Sequence, residues 1–343
     1  MRFQNPETIK VGVVGYGGAF NMGRAHLTQM KDAGMTPVCA CDTDEKRLET
    51  AREDFPGLET YTSVQEMLDK SDVNMVSIIT PHNTHADIAL QCLRAGRHIV
   101  CEKPLAITTE ECDLMIAEAR SRDLVLSTFH NRHWDGCILR AVERIGAGAI
   151  GDVVRIEAHM GRHGQPGDWW RSSRSISGGI LYDWGVHLLE YSLQLLADAK
   201  LVEVSGFAKH GVWADKTAWK DDTNEDEGYA VARFDTGQWL TLCVTTLDMN
   251  PKPDQLEITG TAGTYKFSGG NWTEITMEDG AKVTREGTNP PSEGGKFYQN
   301  IADHLCKGTD LVISPEYSRR PIHILDLAVS SAATGRTMSA TYA

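Results

Sequence analysis

The first 130 residues alternate short apolar runs with amphipathic stretches. The apolar runs are four to seven residues long, and the apolar positions between them recur every three or four residues. This alternation is typical of buried strands connected by helices. We predict strands at residues 9–14, 37–41, 73–79, 98–101 and 124–129, and we count the last of these five located strands as the sixth strand of the sheet. Six strands alternating with helices indicate a parallel, doubly wound sheet.

The second part of the chain has a different pattern. From Asp152 onward, longer segments alternate apolar and polar residues with a period of two, and turns that contain Gly separate several of them. The predicted strands are residues 153–161, 202–209, 227–234, 238–246, 254–259 and 264–268. Strands joined by such turns form antiparallel meanders, so we expect a mostly antiparallel open sheet with helices in this half.

Helices are predicted on either side of this strand-rich region. A connecting helix runs from residue 131 to about 145, and another occupies residues 296–306 after a surface loop at 286–295. The change of pattern after residue 130 predicts two domains, residues 1–130 and residues 131–343.

Charge and composition narrow the expected partners. The chain has 34 basic and 47 acidic residues, a net charge of -13, and no long basic cluster, so we expect neither nucleic acid nor an anionic membrane as a partner. No segment approaches the ~20 apolar residues of a membrane span, and we expect a cytoplasmic protein. Eight cysteines and twelve histidines show no zinc-type spacing. We therefore predict no metal site.

A glycine-rich turn follows the first strand. It reads Gly15-Tyr16-Gly17-Gly18-Ala19-Phe20-Asn21-Met22-Gly23. Glycines between a buried strand and a helix let the backbone approach a pyrophosphate, whose charge then lies at the helix N-terminus. Phe20 stands where the G-x-G-x-x-G spacing requires its third glycine. Gly23 takes that role if the turn carries three extra residues.

Asp42 ends the second predicted strand. It lies 19 residues after Gly23, close to the ~20 expected for a carboxylate that binds the adenosine ribose. An acid there repels a 2′-phosphate, which favours NAD over NADP. Asp42 or Asp44 also suits the N-cap of the next predicted helix, residues 45–55. Both interpretations can hold together.

The strand at 98–101 ends in Cys101-Glu102-Lys103-Pro104. Pro104 donates no ladder hydrogen bond and favours extended geometry at the residue before it, so the amine of Lys103 is expected at the carboxyl edge of the sheet. Ligands of open α/β sheets bind at that edge. A lysine there stabilises an alkoxide as it forms. The alternative is an ordinary solvated charge at a strand end.

A second polar group lies in the other half of the chain. Asp183 and His187 are four residues apart on a predicted helix, so they share one face, which Glu190 and Gln194 extend. Such a line of polar residues is often a solvated face. The glycine-rich entry and Gly185 between the pair instead favour close approach of a ligand.

The order of these motifs resembles the Gfo/Idh/MocA family of oxidoreductases. The shared motifs are the glycine turn, Thr80-Pro81 before a helix, Cys101-Glu102-Lys103-Pro104, Gly151-Asp152, Gly178-Gly179 leading to Asp183-x-Gly185-x-His187, and Phe297-Tyr298. The likeness covers nearly the whole chain. Two departures are the three extra residues in the glycine turn and Glu190, where many members carry Asp.

The resemblance implies an NAD-dependent oxidoreductase that reversibly oxidises a secondary hydroxyl of a sugar, sugar derivative or cyclitol. Residues 1–130 would form the NAD-binding Rossmann domain. Residues 131–343 would bind the substrate and form a homodimer or homotetramer through their sheet. Lys103, Asp183 and His187 would be the catalytic set, with the amine and the imidazole supplied by different halves of the chain.

The remaining site residues come from these motifs and from the loop of residues 162–171, which is expected to line the substrate pocket. The cofactor-binding candidates are Gly15, Gly17, Gly18, Ala19, Phe20, Asn21, Met22, Asp42, Thr80, Pro81, His85, Glu102 and Lys103. The substrate-binding candidates are Lys103, Arg132, His163, Trp169, Trp170, Arg171, Asp183 and His187. Paired tryptophans suit the apolar face of a sugar, although tryptophans are more often buried in a core. Arg171 either binds a carboxylate or pairs with Asp168.

Two alternative functions fit the same motifs. One is a hydrolase or lyase that retains NAD and cleaves glycosides by transient oxidation, a chemistry known in this broad family. The other is a sensor that keeps the dinucleotide fold without turnover. A sensor has no need of all three of Lys103, Asp183 and His187, so their presence favours an enzyme.

Overall fold

The computed structural model describes residues 3–17, 20–197 and 199–342. The chain forms two compact units. Met1–His130 and Gly295–Arg319 make the first unit, and Asn131–Gly294 and Arg320–Ala343 make the second. The chain therefore returns to the first unit after residue 294, a return that the division at residue 130 does not include.

The described part of the first unit contains a sheet of six parallel strands. In chain order its elements are β1 (Lys10–Val14), α1 (Met22–Asp32), β2 (Thr36–Cys41), α2 (Glu45–Asp54), β3 (Glu59–Tyr61), α3 (Val64–Lys70), β4 (Met75–Ile78), α4 (His85–Arg94), β5 (His98–Cys101), α5 (Thr109–Ser121) and β6 (Leu126–Thr128). The strand order β3-β2-β1-β4-β5-β6 reverses direction between β1 and β4. The predicted doubly wound sheet is confirmed.

Apolar burial on both faces explains the central strands. Val13 and Val14 of β1 point to opposite faces of the sheet, and both are buried, as expected for a parallel sheet covered by helices on both sides. Helix α5 begins with a capping box. Thr108 Oγ1 accepts a hydrogen bond from Glu111 N (3.2 Å), and Glu111 Oε2 accepts one from Thr108 N (3.0 Å).

The sequence patterns did not locate β3 or α3. The strand is three residues long, reads Glu59-Thr60-Tyr61 and pairs only with β2 within the described residues. An edge strand needs no apolar run, because one side of its ladder faces away from the sheet. This strand is the third of the predicted six.

The second unit is built on a large mixed sheet. Its elements up to residue 288 are α6 (Gly136–Gly146), β7 (Val153–Gly161), α7 (Arg174–Ser177), α8 (Leu181–Leu195), β8 (Leu201–Lys209), β9 (Glu227–Phe234), β10 (Trp239–Thr245), β11 (Leu256–Gly260), β12 (Gly263–Phe267), β13 (Asn271–Glu278) and β14 (Ala281–Thr288). The pairs are antiparallel except β7 with β10. The predicted mostly antiparallel sheet with helices is confirmed.

Helix α8 packs on one face of this sheet. A Cβ added at Gly185 would lie 3.1 Å from Leu242 Cδ2, so the helix approaches β10 closely at its glycine. Leu240 and Leu242 are fully buried beneath it. The alternate residues of β10, beginning with Trp239, face the other side of the sheet.

The hairpin of β13 and β14 was not predicted. Residues 286–288 of the predicted surface loop belong to β14. Asp279 and Gly280 connect the two strands with φ values of 49° and 78°. Positive φ at both central residues is the geometry of a type I′ hairpin turn, for which Asp-Gly is a strong signal.

Three further elements complete the described chain. They are α9 (Lys296–Lys307), α10 (Pro315–Thr334) and β15 (Met338–Ser339), which pairs with β8. The helix predicted at 296–306 matches α9, whose Phe297 packs edge-on against Phe129 of the first unit at 5.0 Å. No helix in the described ranges combines the length and apolar character needed to cross a membrane.

Candidate functional site

The glycine turn lies where the strand order of the first unit reverses. Gly15 has a φ of 88°, and its N–H donates to Cys41 O at 2.8 Å. A Cβ at this position would lie 2.5 Å from Ile79 O, so only glycine fits between the ends of β1 and β4. Gly17 also has a positive φ, 59°, and a Cβ there would meet no described atom within 4 Å. The candidates Gly18 and Ala19 lie outside the described residues.

Gly23 occupies the close approach between helix and turn. A Cβ added to it would lie 2.6 Å from Tyr16 O and 2.8 Å from Tyr16 Cα. Close packing between the helix and the strand end is the role of the third glycine in the dinucleotide-binding turn. The three-residue extension therefore leaves this contact in place.

The carboxylate of Asp42 faces the glycine turn. Its Oδ2 accepts hydrogen bonds from the N–H groups of Tyr16 (2.8 Å) and Gly17 (3.1 Å), and its Oδ1 accepts one from Asp44 N (2.9 Å). Asp44 is the N-cap of α2, because its own Oδ1 accepts from Lys46 N at 3.0 Å. Asp42 is thus held beside the turn and does not cap the helix.

These features fit a dinucleotide. The turn has open space beside Gly17, a fixed carboxylate in Asp42, and a helix start at Met22 whose N-cap Asn21 makes no side-chain capping bond. Uncapped N–H groups at a helix start favour an anion such as a pyrophosphate. Phe20, beside them, is 57% exposed.

The residues after β4 connect the end of that strand to the end of β5 through side-chain contacts with backbone carbonyl groups. Buried His85 begins α4, and its Nδ1 lies 2.8 Å from Pro104 O and its Nε2 2.9 Å from Thr80 O. Burial lowers the pKa of His85, and the two carbonyl contacts offset only part of that effect. Thr84 Oγ1 donates to Pro81 O at 2.7 Å. The ring nitrogens of His85 are thus engaged by the backbone.

Glu102 and Lys103 continue directly from β5. Glu102 N donates to Ile78 O at 2.9 Å, which extends the ladder with β4 by one residue. The carboxylate is 14% exposed and contacts His26 Nε2 (3.0 Å) and Lys103 N (3.0 Å). Burial alone would raise the pKa of Glu102, but the hydrogen bond from His26 and the charge of Lys103 hold that pKa below its ordinary value. Lys103 is half-buried, and its bond to Pro104 is cis.

In the second unit, Arg171 holds Asp183. Arg171 Nη1 donates to Asp183 Oδ1 at 2.7 Å. The guanidinium also lies over the rings of Trp169 and Trp170, at 5.2 and 5.1 Å from their centroids. The alternative partner Asp168 instead accepts a hydrogen bond from Ala218 N at 2.7 Å.

His187 lies one turn after Asp183 on α8 and is only 6% exposed. Its ring lies 5.7 Å from that of Trp184, and the guanidinium of Arg132 lies 5.0 Å above Trp184. Glu190, farther along the helix, is 1% exposed and contacts His133 Nδ1 at 2.6 Å. The interpretation of this polar line as a solvated face is therefore wrong.

A second segment of the unit supports the loop of residues 162–171, which carries Asp168, Trp169 and Arg171. Asn224 Nδ2 donates to Arg171 O at 2.7 Å, and the Asp168 carboxylate receives its hydrogen bond from the same segment. His163, at the other end of the loop, is exposed and lies 5.7 Å from the ring of Trp213. The loop conformation thus depends on contacts about 50 residues away in the chain, which no local pattern reveals.

No group of three or more His, Cys, Asp or Glu side chains comes together as a metal site in the ranges that the structure describes. Lys103 belongs to the first unit, whereas Arg132, Arg171, Asp183 and His187 belong to the second. Sequence reasoning did not identify His26 as a neighbour of Glu102. Its only local signal is a histidine on the apolar face of α1, next to Leu27.

Comparisons with known proteins agree with this geometry. The family model for the oxidoreductase family with an NAD-binding Rossmann fold matches residues 9–130, and the model for the GFO/IDH/MocA C-terminal domain matches residues 138–266. Scyllo-inositol 2-dehydrogenase (NADP(+)) of Bacillus subtilis is 24% identical over 97% of this chain and 96% of its own. Myo-inositol 2-dehydrogenase of Thermotoga maritima is 26% identical over 79% and 78%.

A solved structure shows the same fold. Levoglucosan dehydrogenase in complex with NADH and levoglucosan superposes with a TM-score of 0.81 over 98% of this chain and 100% of its own, at 22% identity. The two family models follow one another along most of the sequence. The chain therefore belongs to the Gfo/Idh/MocA family of oxidoreductases, with residues 9–130 as its NAD-binding Rossmann fold.

Proposed function

We propose that this protein is an NAD-dependent dehydrogenase that reversibly oxidises a secondary hydroxyl of a sugar, sugar derivative or cyclitol. The observation that carries the proposal is Lys103, an amine placed directly after β5 at the carboxyl edge of an NAD-binding sheet. The names of relatives support the substrate class, because scyllo-inositol, myo-inositol and levoglucosan are all ring compounds with secondary hydroxyls.

The proposed preference for NAD rests on Asp42. Its carboxylate lies against the N–H groups of Tyr16 and Gly17, at the turn expected to hold the adenosine end of the cofactor. A 2′-phosphate there would bring two negative charges together. When bound, the nicotinamide supplies hydride chemistry.

Lys103 and His187 have different roles in the reaction of the substrate hydroxyl. The ammonium of Lys103 stabilises the alkoxide as it forms, and in the reverse direction it polarises the ketone. The imidazole of His187 takes the hydroxyl proton, and base catalysis of this kind contributes about 10²–10⁴-fold. Both groups reverse their roles during reduction.

Asp183 supplies an oriented acceptor one helical turn before His187. Arg171 fixes one of its oxygens at 2.7 Å, which limits the directions in which the carboxylate can accept a further hydrogen bond. The acceptor serves a substrate hydroxyl or the ring of His187. In either role its position depends on Arg171.

The aromatic side chains suit a polyol ring. Trp169 is 36% exposed, and an indole ring presents a flat apolar surface that suits the apolar face of a sugar. Arg132 and His163 complete the proposed polar lining, and Arg132 is tied to Asp135 at 3.0 Å. A polyol would thus meet both an apolar surface and hydrogen-bonding groups.

The sheet of the second unit is the proposed homo-oligomer interface. On the face opposite α8, Phe207 is 62% exposed and Trp239 is 38% exposed, and Tyr229 lies beside Phe207 with ring centroids 6.4 Å apart. Exposed aromatic side chains on a sheet face are typical of interaction surfaces. A second copy of this chain would cover them.

Two alanine variants test the proposal. Lys103→Ala and His187→Ala should each lower kcat with NAD and a polyol substrate by about 100-fold or more while still binding NADH. The matched controls are Lys282→Ala and His210→Ala, which remove the same side chains at exposed positions. Near-normal turnover in both test variants would refute the assigned roles.

A further inference from the structure

A buried chain of polar side chains leads from helix α9 to Glu102. His26 Nδ1 lies 2.5 Å from Tyr298 Oη and 3.0 Å from Ser77 Oγ, and its Nε2 lies 3.0 Å from Glu102 Oε1. His26, Ser77 and Tyr298 are all fully buried. These groups come from α1, β4, α9 and the end of β5, all within the first unit.

The hydrogen bonds of this chain have a definite direction. The carboxylate of Glu102 can only accept, so the Nε2–H of His26 donates to it. In a neutral ring, Nδ1 then accepts, and the O–H of Tyr298 at 2.5 Å is the donor. The Ser77 hydroxyl can donate in turn to the Tyr298 oxygen at 3.2 Å. Burial raises the pKa of Tyr298, which keeps its phenol protonated and able to donate.

Glu102 connects this chain to the strand end. One carboxylate oxygen is held by His26, and the other accepts a hydrogen bond from Lys103 N at 3.0 Å. Two donors on opposite oxygens restrict rotation of the carboxylate. The same contacts fix the backbone from which the Lys103 side chain projects.

The position of His26 on α1 gives the network a second effect. His26 lies four residues after Met22, the first residue of the helix that follows the glycine turn, and its ring packs 4.2 Å from that of Phe129. The network therefore joins the start of α1 to the end of β5. Both belong to the edge of the sheet where the dinucleotide is expected.

Packing alone does not explain this choice of residues. Buried polar networks are often no more stable than apolar side chains of the same volume, and each unsatisfied member costs free energy. The site lies in an otherwise apolar region that includes Phe129 and Phe297. A network directed at Glu102 is explained if its orientation matters for the function.

We propose that His26 and Tyr298 are positioning residues, which hold Glu102 and Lys103 through hydrogen bonds in the arrangement required for cofactor binding and turnover. The expected effect of these two residues on turnover rests on the proposed function. Their effect on NADH binding requires only the NAD-binding fold. Tyr298, which follows the long first segment of the second unit (Asn131–Gly294) in the chain, would thereby complete the cofactor-binding unit.

Three variants separate hydrogen bonding from packing. Tyr298→Phe removes the hydroxyl and keeps the ring against Phe129. His26→Gln keeps an N–H donor for Glu102, whereas His26→Leu removes it at similar volume. The control is Tyr265→Phe, a fully buried tyrosine on β12 in the second unit. The measurements are the NADH dissociation constant by fluorescence titration, kcat, the polyol KM and the melting temperature.

We expect Tyr298→Phe and His26→Leu to raise the NADH dissociation constant about fivefold and to lower kcat about tenfold, with little change in the polyol KM. His26→Gln should lie closer to wild type than His26→Leu. The control removes a buried hydroxyl that makes no hydrogen bond among the described residues, so it should leave both NADH binding and kcat at their wild-type values. Wild-type NADH binding and kcat in both Tyr298→Phe and His26→Leu, or equal effects of Gln and Leu at residue 26, would overturn the proposal.

The two proposals fail in different ways. If the wild-type protein binds NADH but oxidises no polyol, the proposed function fails, and the NADH dissociation constants of the variants still decide the positioning role. If Tyr298→Phe does not fold, the comparison of Gln with Leu at residue 26 decides it instead. If the network were purely structural, His26→Leu would bind NADH and turn over at least as well as His26→Gln.

Discussion

Arg171 donates a 2.7 Å hydrogen bond to the carboxylate of Asp183. The sequence left two roles open for this arginine, and the structure gives it a partner on α8 rather than Asp168. The same guanidinium also lies over Trp169 and Trp170. It therefore connects the loop that carries these two tryptophans to α8, the helix that carries His187. In the first unit, Asp42, Gly23 and His85 make contacts that hold the glycine turn and the strand ends in a similar way.

Replacing Arg171 should impair turnover more than folding. In Arg171→Gln the charge-assisted bond to Asp183 is lost, and we expect kcat/KM to fall about 10–100-fold. Arg233→Gln is the control, since Arg233 pairs at 2.7 Å with Glu203 on the sheet surface. Steady-state kinetics with NAD and a polyol measure both. An unchanged kcat/KM in Arg171→Gln would show that Asp183 needs no partner.

Replacing Asp42 should change the choice of cofactor. Asp42→Ser removes the negative charge beside the glycine turn, so the preference for NAD over NADP should fall about tenfold or more. Part of the NAD affinity should also be lost, because Tyr16 N and Gly17 N lose their acceptor. Asp72→Asn changes the net charge equally at a side chain that is 65% exposed and should leave the ratio unaltered. The ratio of kcat/KM values for the two cofactors is the measurement, and a ratio equal to wild type would contradict the role of Asp42.

Adding one methyl group at Gly23 should destabilise the first unit. The new Cβ would lie 2.6 Å from Tyr16 O, and overpacking of this kind costs about 1–3 kcal/mol. Gly146→Ala is the matched control, because a Cβ at the end of α6 would meet nothing within 4 Å among the described atoms. It should gain about 0.5 kcal/mol from helix propensity. Urea unfolding monitored by circular dichroism compares the two, and equal stability changes would argue against the close contact.

His85 should make stability depend on pH. Burial places its pKa in the folded state below the unfolded value of about 6.5, so the unfolded chain binds more protons between the two values. The free energy of unfolding therefore carries no penalty from His85 above a pH of about 6.5. It decreases as the pH falls below that value, by up to about 1.4 kcal/mol per pH unit.

Denaturant unfolding at several pH values tests this expectation. His85→Gln should have a shallower decrease in the free energy of unfolding below pH of about 6.5 than wild type. The exposed His210→Gln should keep the wild-type slope. If His85→Gln and wild type have the same slope, the ring is not held neutral by burial.

A charge on the exposed sheet face should disrupt self-association. Phe207→Glu introduces a carboxylate into the aromatic patch, and its desolvation would oppose burial against a second copy. Met249→Glu places the same charge at a side chain that is 81% exposed outside the strands. Light scattering after size-exclusion chromatography should show a lower mass for Phe207→Glu only. Equal masses for both variants and wild type would place any interface elsewhere.

Regular periodicity explains how much of the fold could be predicted. The strands from β7 to β12 lie within two residues of their predicted bounds, because each alternates buried residues with less buried ones. Two of the missed strands lack that contrast. β14 has no buried residue, and β3 is a three-residue edge strand. The hairpin of β13 and β14 was nevertheless recognisable from Asp279-Gly280.

The site could be predicted only where its residues are close in sequence. The four-residue spacing of Asp183 and His187 puts them on one helix face, and Gly15 follows directly from its strand. The partner of Arg171 depends on how its loop folds, so spacing could not decide it. His26 and Tyr298 are 272 residues apart in the chain, and no local pattern connects them.

The most direct test of the central claim is the absorbance of NADH when the protein is mixed with NAD and a panel of cyclitols, sugars and glycosides. We expect steady formation of NADH in equal amount to the ketone produced, with at least one member of the panel. Release of free reducing sugar without net NADH would identify the glycoside-cleaving alternative. NAD binding without turnover of any compound would indicate a sensor, and either result would contradict the proposed dehydrogenase.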